Sequence, residues 1–529
     1  MASGSSLLPV QARALPRLFP RPYLWGPAAL VATGVLVPLG YLVVRAFEAE
    51  PGELAALLLR WRNLRLLGNT LGLTAGVLAA ATALALPLAW LVARTDLRGA
   101  RVVTLLGVLP LAVPGYVMAY ALLGMTGTNG LLARLLDVGW PRPSGYPGAL
   151  AALTLYTFPY LFLNLRTALL GLDPALEEAA RSLGYREAEV ARRVVLPQLR
   201  PAFLAGGLLV ALHVLGDFGV VSLMRFETFS YAIYLQYAAA FDRVYAAWLA
   251  LMLLGLTGAL LALEARLLRG RRYARTGGGA ARHPRRARLG GWAVPAYAFA
   301  ALVALASVGL PVATIVYWLG RGTEAVAWGD LGAALWDSAR ASLPAALLAA
   351  GLAVPVAYLG VRKPSGPSRL MERVAYLGYA TPPLAFALAL VVFSLAAVPF
   401  LYQTLTLLVL AYALHFLAEA LGPVRSALYQ APPRVEEAAR ALGRPPLAAF
   451  FAATFPLLRR GLGVSAAFVF LSAFKELPLT FLLSPLGFHT LAMGVWGAAG
   501  EALFSVAAPY ALVLILTSSV LVGLLLRGT

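Results

Sequence analysis

Residues 166–184, RTALLGLDPALEEAARSLG, return as residues 425–443, RSALYQAPPRVEEAARALG, at a constant offset of 259 that persists to Leu196-Pro197 and Phe455-Pro456. A repeat of this length sets the architecture before any single motif does. Upstream, Pro87-Leu88-Ala89-Trp90 matches Pro355-Val356-Ala357-Tyr358 at an offset of 268, and Arg101 and Pro110 match Arg373 and Pro382 at 272. The chain therefore divides into two related halves, 1–270 and 292–529. Between them, residues 271–291 form a basic linker, predicted to be flexible around Thr276-Gly277-Gly278-Gly279.

The duplicated unit is a membrane unit. Of the 529 residues 60% are hydrophobic and 12% charged, where about 25% charge is usual for a soluble domain. Twelve apolar runs, near 24–45, 67–93, 102–124, 149–169, 202–223, 246–268, 292–319, 341–361, 374–395, 405–422, 462–483 and 505–526, are each long enough to cross a hydrocarbon core of roughly 30 Å. The expected fold class is thus an all-α polytopic membrane protein, with twelve transmembrane helices in two homologous six-helix halves. An even number of spans per half makes the halves parallel, an arrangement that places a pathway on the axis between them. The basic start, with Arg13, Arg17 and Arg21, leads into a run too long for a signal-peptide core, so the first helix is expected to be retained.

Loop charge orients the chain. The loops on the side of the N-terminus hold 32 basic and 10 acidic residues, those on the other side 10 and 10, and Lys/Arg-rich loops stay in the cytoplasm. Both termini are therefore expected in the cytoplasm. The net charge of +20 sits almost entirely in these loops, where insertion and anionic lipid account for it without nucleic acid. The absence of cysteine excludes disulfides, cysteine-ligated clusters and thiolate zinc sites.

Each repeated segment reads as a helical hairpin between the fourth and fifth spans of its half. In the first, Asp173 is a good N-cap with Pro174 at the first helical position, Glu177 and Glu178 favour the positive helix end, and Gly184 supplies the stop. A second short helix is predicted from Glu187 to Val195, stopped by Pro197. The second copy keeps Pro433, Glu436, Glu437, Gly443 and Pro456, but Pro432 replaces the capping aspartate.

Four ionisable residues lie well inside spans: Asp217, Glu419, Lys475 and Glu476. Each costs on the order of 2.5–3.5 kcal/mol to insert and is a candidate pathway residue for that reason. Asp217 and Glu476 are related by the same offset of 259. Pro478 should break its helix near residue 474, with Gly216 and Gly219 loosening the counterpart. His213 with Asp217, and His415 with Glu419, share helix faces at i, i+4 spacing; without a third local ligand these pairs read as packing residues rather than as a resident metal site. Asp217 and Glu476 are at most transient ligands, and Glu419 stands close enough to its span end to reach the interface.

The residues Glu178-Ala179-Ala180, Gly184 and Pro197, with Glu437-Ala438-Ala439, Gly443 and Pro456, resemble the EAA loop of bacterial ABC-importer permeases, here present twice, at about 173–201 and 432–460. The resemblance implies the type I permease fold in a bacterial inner membrane. It also implies one ATP-binding subunit gripping each loop, two in all, and a substrate-binding protein docking on the outer face. ATP and Mg would reside on those partners and this chain would bind no cofactor and catalyse nothing; it has no G-x-x-x-x-G-K-[ST] loop and no Gly-Lys pair. Lys475 to Thr480 and Pro485 to Ala492, with Asp217-Phe218-Gly219 and Thr228, are similar to fused ferric-iron permeases. Fused permeases for thiamine and aminophosphonates share much of these segments. A major-facilitator-type secondary transporter also has twelve spans in two halves but lacks paired EAA loops. The expected mechanism is alternating access.

Overall fold

The structure, a computed structural model, describes residues 22–48, 60–268, 286–322 and 328–527, together with Gly52 and Ala56. Residues 1–21 and positions 271–285 of the expected linker lie outside the described residues. The described residues are helical throughout, with two isolated β-bridges and no strand among them.

Eight helices cross unbroken: Tyr23–Ala46, Trp61–Arg94, Gly145–Gly171, Arg243–Leu268, Gly290–Leu319, Trp328–Arg362, Pro446–Phe474 and Phe504–Gly523. Four more spans are bent pairs, Ala100–Ala112 with Gly115–Met125 (96°), Glu187–Gln198 with Arg200–Gly216 (59°), Gly366–Ala380 with Pro383–Ala397 (106°) and Leu405–His415 with Leu417–Gln430 (53°). Together they take up the twelve expected runs in order, but runs 102–124, 374–395 and 405–422, expected as single spans, are bent. The two sharpest bends have a local cause. Proline disfavours helical conformation in the residue before it, and Val113 before Pro114 (φ −93°, ψ 113°) and Thr381 before Pro382 (φ −71°, ψ 126°) are both extended.

Runs 202–223 and 462–483 are also interrupted. The first stops at Gly216 and resumes as the short helix Gly219–Leu223; the second stops at Phe474, as Pro478 requires, and resumes as Pro478–Leu483.

The first helix of each half packs on the other half. Pro22–Ala46 lies against Trp328–Arg362, Gly366–Ala380 and Pro383–Ala397, while Gly290–Leu319 lies against Gly115–Met125. There Thr314 Oγ1 donates to the Ala121 carbonyl (3.2 Å) and Trp318 Nε1 to that of Gly124 (2.8 Å). A Cβ on Gly34 would stand 2.8 Å from Leu414, so a small residue permits the first contact. The described end of the linker is tied to the first half, where Ala287 N–H donates to the Arg94 carbonyl (2.8 Å) and Leu289 N–H to Asp96 (2.9 Å).

Candidate functional site

The two hairpins have one backbone. Pro174–Ser182 and Pro433–Ala441 are the first helices, each ended by a left-handed glycine, Gly184 at φ +85° and Gly443 at φ +86°. Tyr185 N–H returns to the Ala180 carbonyl and Arg444 N–H to that of Ala439, both at 3.2 Å, closing the same αL stop. Asp173 accepts from Ala175 N–H (3.0 Å), whereas Pro432 leaves the second helix without a side-chain cap, as expected.

The second helices depart from the expectation. Pro197 does not stop the chain, because Ala191–Val195 widens into a π-turn that feeds directly into Leu196–Gln198. Phe450–Thr454 does the same ahead of Pro456. The wider turn accommodates a ring that has no N–H to donate and would clash with an ordinary turn.

Of the motif residues, Glu178, Ala179, Gly184 and Pro197, and Glu437, Ala438, Gly443 and Pro456, are exposed, Ala439 is half-buried, and Ala180 is buried. The buried anchors are Glu177 and Glu436, one position earlier, which sequence reasoning placed only by helix polarity. Glu177 takes an ion pair from the nearly buried Arg94 (2.5 Å) and a longer one from Arg181 (3.5 Å). Glu436 accepts from Tyr358 (2.9 Å) and Thr454 (3.0 Å) and pairs with Arg440. Tyr358 aligns with Trp90 and Arg362 with Arg94 at the offset of 268, but the fastening position differs between the halves, since Arg362 donates to the Ala431 carbonyl. On the surface, Arg181 hydrogen-bonds Glu187 (2.7 Å) and holds that carboxyl below its usual range.

All four intramembrane ionisable residues meet. Asp217, Glu419, Lys475 and Glu476, with His213 and His415, line one cavity of about 290 Å³ between the halves, walled by Tyr116, Tyr156, Tyr160 and Tyr379. The span breaks bring them there. Asp217 accepts from Val220 N–H (2.8 Å) and Tyr156 (3.2 Å), and Glu476 accepts from Leu479 N–H (3.2 Å), so each carboxylate also caps the helix after its break. The 53° bend keeps Glu419 on the cavity, where it accepts from Ser472 (2.7 Å), rather than at the interface.

Neither histidine bonds the carboxylate four residues on. His213 Nδ1 is bonded to the Leu209 carbonyl (2.8 Å) and its ring lies 4.2 Å from that of Tyr160; His415 Nδ1 is buried without a partner. At the offset of 259, His415 and Glu419 stand opposite Tyr156 and Tyr160, a pairing the sequence contained but i, i+4 spacing did not bring out. Beyond the breaks, Phe218, Tyr234, Phe481 and Trp496 interlock across the two halves at 4.9–6.3 Å. Of these, Phe218 also lines the cavity.

A family model described as binding-protein-dependent transport system inner membrane component matches residues 72–325 and 342–527. The chain is 31% identical over 512 residues to the Fe(3+)-transport system permease protein FbpB 2 of Haemophilus influenzae, covering 96% of this chain and 98% of that one. It is 32% identical over 262 residues to a probable molybdenum ABC transporter permease of Haloferax volcanii, 48% of this chain and 94% of the relative. With the sulfate transport system permease CysW of Escherichia coli it shares 30% identity over 244 residues, 42% of this chain and 80% of that one.

Proposed function

This chain belongs to the family of binding-protein-dependent transport system inner membrane components, and from that premise we propose that it imports ferric iron by alternating access, driven by ATP hydrolysed on separate subunits. It is a multi-pass inner-membrane ABC permease of type I fold. The observation that carries the cargo is the end-to-end match to a ferric-iron permease, since the molybdenum and sulfate relatives each match less than half of the chain. The cavity agrees in chemistry: ferric iron is a hard cation that prefers oxygen, and the walls offer three carboxyl groups and four phenols.

In this reading the hairpins face the cytoplasm, as do both termini. Each sits in a groove on one of two ATP-binding subunits, where ATP and Mg are held. Glu178, Ala179, Ala180, Gly184 and Pro197, and Glu437, Ala438, Ala439, Gly443 and Pro456, form the gripping surfaces, while Glu177 and Glu436 fasten each hairpin to its span. A loaded extracytoplasmic binding protein docks on the opposite face. When the motor closes, the hairpins approach, the halves pivot, and the aromatic cluster between them parts. Residues 1–270 and 292–529 act as the two permease domains, joined through 271–291.

The test is uptake of labelled ferric iron and labelled thiamine in cells with and without the gene, under limitation for each. Loss of iron uptake alone is expected. Loss of thiamine uptake alone would keep the importer and replace its cargo.

A further inference from the structure

The cavity is asymmetric in one respect. Lys475 is the only lysine or arginine among its lining residues, against the carboxyls of Asp217, Glu419 and Glu476. The equivalent position in the first half is Gly216, where a Cβ would already stand 3.0 Å from Pro383 Cδ. A side chain there would crowd Pro383, and of the two equivalent positions only the one in the second half carries a cation.

Lys475 makes no ion pair within 4.0 Å among the described residues. Its Nζ instead donates across the interface to the Leu111 carbonyl (3.1 Å), at the 96° break of the first half, and its own carbonyl accepts from Tyr116 (3.0 Å). An ammonium on a flexible four-carbon stem is thus parked on a neutral carbonyl beside three carboxyls.

We propose that Lys475 is a resident cation, standing aside on Leu111 while cationic cargo crosses and swinging onto Glu419 and Glu476 when the cargo has left. This rests on the reading of the cargo as a metal cation. Three carboxylates around a trivalent ion in a low-dielectric cavity attract it strongly, and an added ammonium weakens that attraction. With it, the ammonium competes for the same oxygens, and its two contacts to the first half tie its position to the movement between halves. An anionic cargo would demand the opposite role, with Lys475 as ligand.

The experiment is a terbium(III) titration of the full chain in lipid nanodiscs, read by luminescence sensitised from the cavity tyrosines. Lys475→Met should bind terbium at least about tenfold more tightly than the wild type. Lys475→Arg should match the wild type, and adding Glu476→Gln to Lys475→Met should reverse the gain. Lys475→Gln carries the same expectation as Met if Met disturbs insertion. A merely structural lysine would leave affinity unchanged or weakened on removal, and either result overturns the proposal. So does molybdate binding by the wild type that Lys475→Met abolishes. Absence of ferric uptake in wild-type cells would instead remove the cargo reading, while the terbium result is judged separately.

Discussion

The two hairpins have the same backbone and different chemistry. Both end on a glycine near φ +85° and both pass through a π-turn ahead of a proline. The first is fastened by an ion pair between two nearly buried groups, Arg94 and Glu177, and its second helix shows Arg192 and Arg193 to solvent. In the second, Glu436 is held by Tyr358, Thr454 and Arg440, and the positions of Arg192 and Arg193 are taken by Phe451 and Ala452, both exposed. The shape of the projection is therefore what both halves keep, and the fastening can be built from either charge or hydroxyl groups.

Removing the shared feature should have the largest effect. Gly184→Asp with Gly443→Asp forces side chains into a left-handed conformation that costs about 1–2 kcal/mol each, although neither Cβ would meet a neighbour within 4 Å. Transport should fall to background while the amount inserted in the membrane, measured by immunoblot, stays unchanged.

Breaking the fastenings separates the two copies. Glu177→Ala leaves the Arg94 guanidinium buried and unpaired, a loss of about 3–5 kcal/mol, and should give the largest fall in thermal midpoint of the series. Glu436→Gln keeps an acceptor for Tyr358 and Thr454 and should cost only about 1 kcal/mol. Equal losses would show that the two fastenings are alike after all. The smallest effects lie at the caps: Asp173→Ala should destabilise by about 1 kcal/mol and Pro432→Asp should stabilise slightly, by about 0.5 kcal/mol, both read in the same thermal assay.

Hydropathy made the number and order of spans legible, because twenty apolar residues in a row have few other uses. It was blind to bending: a run such as 102–124 is uniformly apolar whether straight or turned by 96° at Val113-Pro114. Broken ends were read correctly where proline or glycine marked them, at Phe474 and Gly216. The cavity was half legible. Its ionisable members stood out against an apolar background, whereas Tyr156, Tyr160 and Tyr379 are ordinary in a membrane helix, and only the repeat offset links the first two to His415 and Glu419. Glu177 and Glu436 were visible but looked like helix-end charges, since only packing shows which of two adjacent glutamates turns inward.

In the proposed importer each hairpin is the docking point of its own motor subunit. Leu183 and Leu442 occupy equivalent positions at the hairpin tips, 78% and 85% exposed, and the chain has no native cysteine. Single cysteines at these two positions can therefore be cross-linked one at a time in membranes containing the assembled importer. Both Leu183→Cys and Leu442→Cys should cross-link to the ATP-binding subunit. Reaction of either with the extracytoplasmic binding protein, or failure of both to reach an ATP-binding subunit, would contradict the account.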